Sequence, residues 1–80
     1  MKFTELIVQR TYDLLNAKNW SVYKLAARSA IPNSTLAHVL SCQCKTVSSE
    51  ILINICRGFD IPIYEFFTKD MFEFENISDD

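Results

Sequence analysis

Residues that favour tight turns are almost absent from this chain, whose 80 residues include one Gly and two Pro. A sandwich or barrel of short strands needs many turns, and turns draw heavily on these residue types. A chain of this length forms one domain with a modest core. Because 49% of the residues are hydrophobic, a packed domain is expected rather than a disordered segment. The sequence therefore predicts a single all-α domain.

Two amphipathic helices are expected in the first part of the chain. Apolar residues recur at helical spacing over residues 4–17. A second helix, over residues 21–29, begins with a serine whose hydroxyl can accept a hydrogen bond from a free N–H group of the first turn. Trp20 precedes this cap and is placed to pack against Lys24 or Leu25. A short connection should therefore separate the two helices.

Three further helices are expected after a break at Pro32, which is excluded from a helix interior but suits a helix start. The third helix covers residues 33–41. The fourth is capped by Ser48 or Ser49, and the fifth begins at Pro62. The apolar residues at helical spacing on these helices and on the second helix predict one shared core. It is formed by Leu25, Ile31, Leu36, Val39, Ile51, Leu52 and Ile55.

Charge is distributed unevenly along the chain, although the net charge is only −2. Residues 1–69 hold all eight Lys and Arg against five acids, which gives +3, whereas residues 70–80 hold five acids and no base, which gives −5. No acid occurs between Asp13 and Glu50. We therefore divide the chain into a folded domain, residues 1–69, and an acidic tail, residues 70–80, whose apolar side chains are expected to pack on the fifth helix or on a second subunit.

The second and third helices, joined by about three residues, have the arrangement in which a recognition helix enters the DNA major groove. The open face of the third helix carries small or hydrogen-bonding side chains, as contact with base edges requires, and no acid that phosphate would repel. An ordinary solvated surface is the competing interpretation of these residues. The predicted DNA-binding residues are Ser21, Val22, Lys24, Arg28, Asn33, Ser34, Thr35, Ala37, His38, Gln43 and Lys45.

Residues 21–42, SVYKLAARSAIPNSTLAHVLSC, resemble the helix-turn-helix of the phage repressor and Cro-like family, also called XRE-type regulators. Residues 46–67, TVSSEILINICRGFDIPIYEFF, resemble that family's fourth and fifth helices. The resemblance implies a five-helix, lambda-repressor-like bundle that binds operator DNA, with a homodimer reading two half-sites. The recognisable pieces are Leu25-Ala26, Ile31-Pro32, Ser34-Thr35-Leu36 and Val39-Leu40.

The chain departs from the family pattern at several positions. Ala30 stands where the family usually has Gly in the turn, and Cys42 stands where Gly often follows the third helix. A non-glycine residue at positive φ costs about 1–2 kcal/mol, so turns of a different shape are expected. Val22 replaces a Gln that often contacts DNA, and Leu15 replaces a common Arg. With the acidic tail, these losses favour an alternative function: a protein-interaction module, such as an antirepressor or antitoxin subunit, acting through the tail or the fifth helix.

Other classes of protein find no support in the sequence. His38 is the only histidine, and we find no nucleophile–base set, no paired carboxylates and no glycine-rich phosphate loop. We therefore expect no enzymatic activity, metal, cofactor or small-molecule substrate. The three cysteines, Cys42, Cys44 and Cys56, are an odd number, and no segment predicts a signal peptide or a membrane span. These features predict a reduced cytoplasmic protein.

Overall fold

A computed structural model describes residues 1–41 and 45–78, and within them the chain folds into five α-helices without a β-sheet. The predicted all-α class and the number of helices are confirmed. None of the helices in the described ranges is long and apolar enough to cross a membrane. The helices are α1 (Phe3–Lys18), α2 (Val22–Ser29), α3 (Asn33–Leu40), α4 (Ser49–Phe59) and α5 (Ile63–Phe66), followed by single 3-10 turns at Asp70–Phe72 and Phe74–Asn76.

The helix starts follow the local signals of the sequence. The Ser21 hydroxyl accepts a hydrogen bond of 3.1 Å from the backbone N–H of Lys24, which caps α2. At α4 the cap is Ser48 rather than Ser49, because the Ser48 hydroxyl accepts from the backbone N–H of Ile51. The two prolines immediately precede α3 and α5, as expected. The start of each helix after α1 is therefore set by one or two neighbouring residues.

The turn between α2 and α3 contains a non-glycine residue in the left-handed region. Ala30 has φ 57° and ψ 31°, and the backbone N–H of Ile31 donates to the carbonyl of Ala26. The turn thus keeps a backbone conformation that favours glycine, instead of changing shape to suit the alanine. Steric strain at the Ala30 Cβ is the cost of that conformation.

Replacing Ala30 by glycine is therefore expected to raise the free energy of unfolding by about 0.5–1 kcal/mol, since relief of Cβ strain outweighs the added entropy of the unfolded chain. Urea denaturation followed by circular dichroism measures this change. Ala27→Gly is the matched control, because Ala27 is exposed on the helical part of α2, and it should lower the same free energy by about 1 kcal/mol. Equal losses for both variants would contradict the strain argument.

The core lies where α1, α2, α3, α4 and α5 meet. Leu25, Leu36, Ile55 and Phe66 have no exposed surface, and Ile31 is buried with them. Val39 is also buried, while Ile51 and Leu52 are partly buried against the same cluster. The predicted core set is therefore inside the molecule, with two members at its edge. Phe59 and Phe66 add the largest buried side chains.

The single glycine of the chain lies in α4, where α2 crosses closely, and not in a turn. A Cβ atom at Gly58 would lie 2.9 Å from Ser29 Cβ and 3.0 Å from Leu25 Cδ1. Both distances are shorter than ordinary contact between carbon atoms. The side chain of Ser29 is buried there and donates to the carbonyl of Leu25. Gly58 therefore lets the two helix backbones approach each other.

The short helix α5 is held to α1 by a buried arginine. Arg10 Nε donates to the carbonyl of Phe66 at 2.8 Å, and its terminal Nη2 donates to the carbonyl of Glu65 at 3.0 Å. The guanidinium also lies 5.9 Å from the centre of the Phe66 ring, and Arg10 is only 6% exposed. A helix of one turn cannot satisfy its own last carbonyls, so Arg10 supplies two of the missing donors.

The acidic tail folds back onto the domain at the first turn of α1. The Phe72 ring lies 4.8 Å from Phe67 and 6.2 Å from Phe3, between centres. Further along, Ser78 forms a parallel bridge with Lys2, and its backbone N–H donates to the carbonyl of Met1 at 2.8 Å. Phe72 therefore packs beside α5 as expected.

Candidate nucleic-acid interface

Helix α3 presents an exposed polar face. Its buried stripe, Leu36, Val39 and Leu40, fixes which side points to the core. Within residues 1–41 and 45–78, no group hydrogen-bonds to the polar side chains of the opposite side. Their donors and acceptors are therefore available to a ligand. The exposed residues of this face are Asn33, Ser34, Thr35, Ala37 and His38.

The first turn of α2 adds unpaired backbone donors. Ser21 accepts from the N–H of Lys24, and the N–H of Leu25 reaches the Ser21 carbonyl. This leaves the N–H groups of Val22 and Tyr23 without a partner among the described residues. The first turn of an eight-residue helix also carries a partial positive charge. The backbone can therefore receive a phosphate here, although the side chain of Val22 cannot donate.

Tyr23 was not singled out by the sequence, yet it is 72% exposed. It lines a shallow groove of about 190 Å³ together with Ala27 of α2, Ile31 of the turn and Asn33 of α3. Its hydroxyl can donate to a phosphate beside the start of α3. The available signal in the sequence was its position two residues after the Ser21 cap; that its flank of α2 faces α3 is known only from the structure.

Lys24 and Arg28 lie on the other flank of α2, away from that groove. Successive helical residues are rotated by about 100°, which places this pair beyond Tyr23 and Ala27 around the helix. Both cations instead approach Trp20, with Lys24 Nζ 5.0 Å and the Arg28 guanidinium 4.9 Å from the ring centre. The expected packing of Trp20 against Lys24 is confirmed. The structure does not group this pair with the open face of α3.

Arg28 also has a structural partner. Its Nε donates to the carbonyl of Gly58 at 3.0 Å, near the end of α4. The ring of Phe59 also stacks on Trp20, at 5.6 Å between centres. The Arg28 guanidinium is therefore held at the crossing of α2 and α4.

The segment after α3 is fastened to the start of α1. The Thr4 hydroxyl donates to the carbonyl of Lys45 at 2.8 Å, and the Lys45 side chain is exposed. A groove of about 320 Å³ separates this segment from α1 and reaches Ser78 of the tail. Lys45 thus lies near the last described part of the acidic tail. Gln43, together with Cys42 and Cys44, lies outside the described residues.

The remaining cysteine is a packing residue. Cys56 is 2% exposed in the core. Burial raises the pKa of the Cys56 thiol, and the charge of Arg10 opposes this effect more weakly. A thiol that stays protonated and enclosed is a poor nucleophile and a poor metal ligand. Cys56 therefore fills space on the inner face of α4.

No protein-family model, no curated protein and no solved structure matches the chain. The resemblance to the repressor and Cro-like regulators therefore depends on the short motifs of residues 21–42 and 46–67. What the domain can bind has to be argued from the exposed groups of α2 and α3.

Proposed function

We propose that this protein is a sequence-specific, repressor-like transcription regulator that binds double-stranded DNA with α3 in the major groove, acting in the cytoplasm as a homodimer. The observation that carries the proposal is the exposed, acid-free polar face of α3, whose side chains have no hydrogen-bond partner among the described residues. Asn, Ser and Thr side chains can hydrogen-bond to base edges in the major groove, and this face has no carboxylate that phosphate would repel.

The dimensions of α2 and α3 support the placement of α3 in the major groove. An α-helix with its side chains is about 10–12 Å across, so α3 fits the major groove, which is about 12 Å wide. The three residues between α2 and α3 leave the two helices packed against each other, so α2 can rest its first turn on the phosphate backbone. Residues 14–49 carry no acid, which removes the main source of repulsion from DNA.

The exposed groups divide into two roles. Asn33, Ser34 and His38 offer the donors and acceptors that can contact base edges. The backbone at Val22, supported by Tyr23, is placed to hold phosphate and to orient the helix without reading sequence. A second subunit would place a second α3 about one helical turn along the duplex, so a palindromic site is expected.

Binding of a labelled random duplex over a range of salt concentrations tests the proposal. Affinity should fall steeply as salt rises, because each phosphate contact releases counterions. Selection of bound sequences from a random pool should then yield one preferred site. Failure to bind any duplex at low salt, with the protein folded, would contradict the proposed function.

Lys45 is an exposed lysine in the segment after α3, where it is proposed to contact a phosphate. Replacing it by glutamine should reduce the slope of log affinity against log salt concentration by about one, because one phosphate contact is lost equally for all sequences. Lys69→Gln is the matched control, since Lys69 is also an exposed lysine but follows α5, and its slope should stay unchanged. Lys24→Gln should resemble the control, because Lys24 lies on the flank of α2 that faces Trp20. A reduced slope for the Lys69 variant would show that the effect reflects net charge and not a contact.

A protein-interaction module is a second candidate function. It is favoured by the tail, in which Phe74 is 91% exposed and lies between the exposed acids Glu73 and Glu75. An exposed aromatic ring flanked by carboxylates fits a basic protein surface better than it fits DNA. Under this function, the protein would bind no duplex, and truncation after Lys69 would abolish the capture of its protein partner.

A further inference from the structure

Three cations converge on one indole at the junction of α1 and α2. Lys18 Nζ, Lys24 Nζ and the Arg28 guanidinium lie 5.3, 5.0 and 4.9 Å from the centre of the Trp20 ring. The ring itself is fixed, because it stacks on Phe59 of the core. We call this surface, formed by Lys18, Trp20, Lys24 and Arg28, the basic platform.

The positive charges of the basic platform are not neutralised by carboxylates of the described residues. No carboxylate of residues 1–41 or 45–78 lies within 4.0 Å of its three cations. Three like charges around one ring repel each other, and the indole compensates for only part of that repulsion. The surface therefore favours an anionic partner that also brings an apolar group to cover the lysine stems.

The tail of the same chain has the complementary character. Glu73 and Glu75 are exposed, and Phe74 between them is 91% exposed. The backbone on both sides is fixed, because Phe72 packs on α5 and Asn76 Nδ2 donates to the carbonyl of Asp70 at 2.8 Å. We call residues 73–75 the acidic segment. It projects two carboxylates and a ring from an ordered turn.

The two surfaces cannot meet within one molecule. The acidic segment is held at the first turn of α1, by Phe72 next to Phe3 on one side and by Ser78 bridged to Lys2 on the other. The basic platform lies at the last turn of α1, where Lys18 is the final residue. A helical rise of 1.5 Å per residue separates Phe3 from Lys18 by about 22 Å.

We propose that the basic platform binds the acidic segment of a second copy of this chain. The carboxylates of Glu73 and Glu75 pair with the cations, and the Phe74 ring covers the lysine stems beside Trp20. In a twofold dimer each molecule gives one segment and receives one, so the contact is made twice and the assembly closes.

DNA is the competing occupant of the basic platform, and the geometry favours the second copy. Lys24 and Arg28 project from the flank of α2 opposite the groove shared by Tyr23 and α3. A duplex that lies on α3 and on the Val22–Tyr23 side of the first turn of α2 therefore leaves the side chains of the platform free. Phosphate would also leave Phe74 exposed, whereas a second copy buries it.

Charge reversal on each surface tests the contact, with mass measured by sedimentation equilibrium on the full chain. One variant carries Lys18→Glu and Lys24→Glu, and the other carries Glu73→Lys and Glu75→Lys; Arg28 is kept because it bonds to Gly58. The parent should rise from 9.3 kDa towards twice that mass at low salt. Each variant alone should remain monomeric. An equimolar mixture should regain the doubled mass, because each platform then faces a segment of opposite charge.

Salt and a matched control complete the experiment. Raising the salt from about 0.05 M to about 0.5 M should dissociate the parent, since exposed charges are screened. Lys69→Glu, which changes one exposed lysine outside both surfaces, should leave the doubled mass unchanged. A monomeric parent at low salt, or a mixture that stays monomeric, overturns the proposal. The proposal is also overturned if the Lys18/Lys24 variant keeps the doubled mass of the parent but loses affinity for duplex DNA, because the platform would then be a DNA contact.

Discussion

Replacing Arg10 by methionine is expected to lower the free energy of unfolding by about 3 kcal/mol, because two carbonyls lose hydrogen bonds from a charged donor. The carbonyl of Phe66 is left unsatisfied, whereas that of Glu65 keeps the Thr68 hydroxyl. The carbonyls belong to Glu65 and Phe66, and the bond to Phe66 is buried. Methionine replaces much of the volume of the arginine stem but offers no donor. For a domain of this size such a loss is a large part of the total stability.

Urea denaturation, followed by circular dichroism, measures this loss. Arg57→Met is the control, because Arg57 is exposed on α4, and its cost should stay below about 0.5 kcal/mol. Arg10→Lys should be nearly as damaging as the methionine variant, since one ammonium cannot reproduce the two-pronged geometry of a guanidinium. Amide hydrogen exchange should show the loss first in α5. A methionine variant as stable as the parent would show that Arg10 fills space and does not hold α5.

This dependence on Arg10 was invisible in the sequence. In α1 the arginine is one cation in an amphipathic helix, and nothing nearby indicates that it is 6% exposed. Its acceptors lie 55 and 56 residues further along the chain. By contrast, the caps at Ser21 and Ser48 act on a residue three positions away. Helix starts could be predicted because their physics is local, and the support of α5 could not because its partners are distant.

The close approach of α2 and α4 could not be predicted either, because the residues that meet there are distant in the sequence. A lone glycine in a helical pattern weakens the prediction of a helix, because glycine costs about 1 kcal/mol there relative to alanine. The reason for Gly58 is the Ser29 Cβ, which leaves no room for another carbon. Trp20 was predicted to meet Lys24, a neighbour in sequence, but its stacking partner Phe59 lies 39 residues away in the chain.

The candidate interface could likewise be predicted only where the signal is local. Apolar spacing in α3 predicted which residues are exposed, since the burial of Leu36 and Leu40 fixes the opposite face. The two flanks of α2 could not be told apart, because periodicity does not show on which side α3 or α4 packs. Lys24 and Arg28 were predicted to contact DNA from their charge and their position on α2, and the structure places both cations at Trp20.

A carboxylate on the open face of α3 is expected to abolish recognition of the selected DNA site. Ala37 is exposed on that face, so Ala37→Glu should preserve folding while placing a negative charge against the major groove. Like charge in a docked interface costs several kcal/mol, and about 2.7 kcal/mol is a loss of about 100-fold in affinity. Fluorescence anisotropy with the selected duplex measures the loss, and circular dichroism verifies the fold.

Two controls separate charge from bulk and from position. Ala37→Lys adds a side chain of similar length but attracts phosphate, so it should keep or strengthen binding to random duplex while losing sequence preference. Gln9→Glu adds the same charge on an exposed position of α1 and should leave affinity within about twofold, because charges beyond a Debye length are screened. If the Ala37→Glu variant bound the selected site as tightly as the Gln9 variant, α3 would not be the recognition helix, and the polar face would be an ordinary solvated surface.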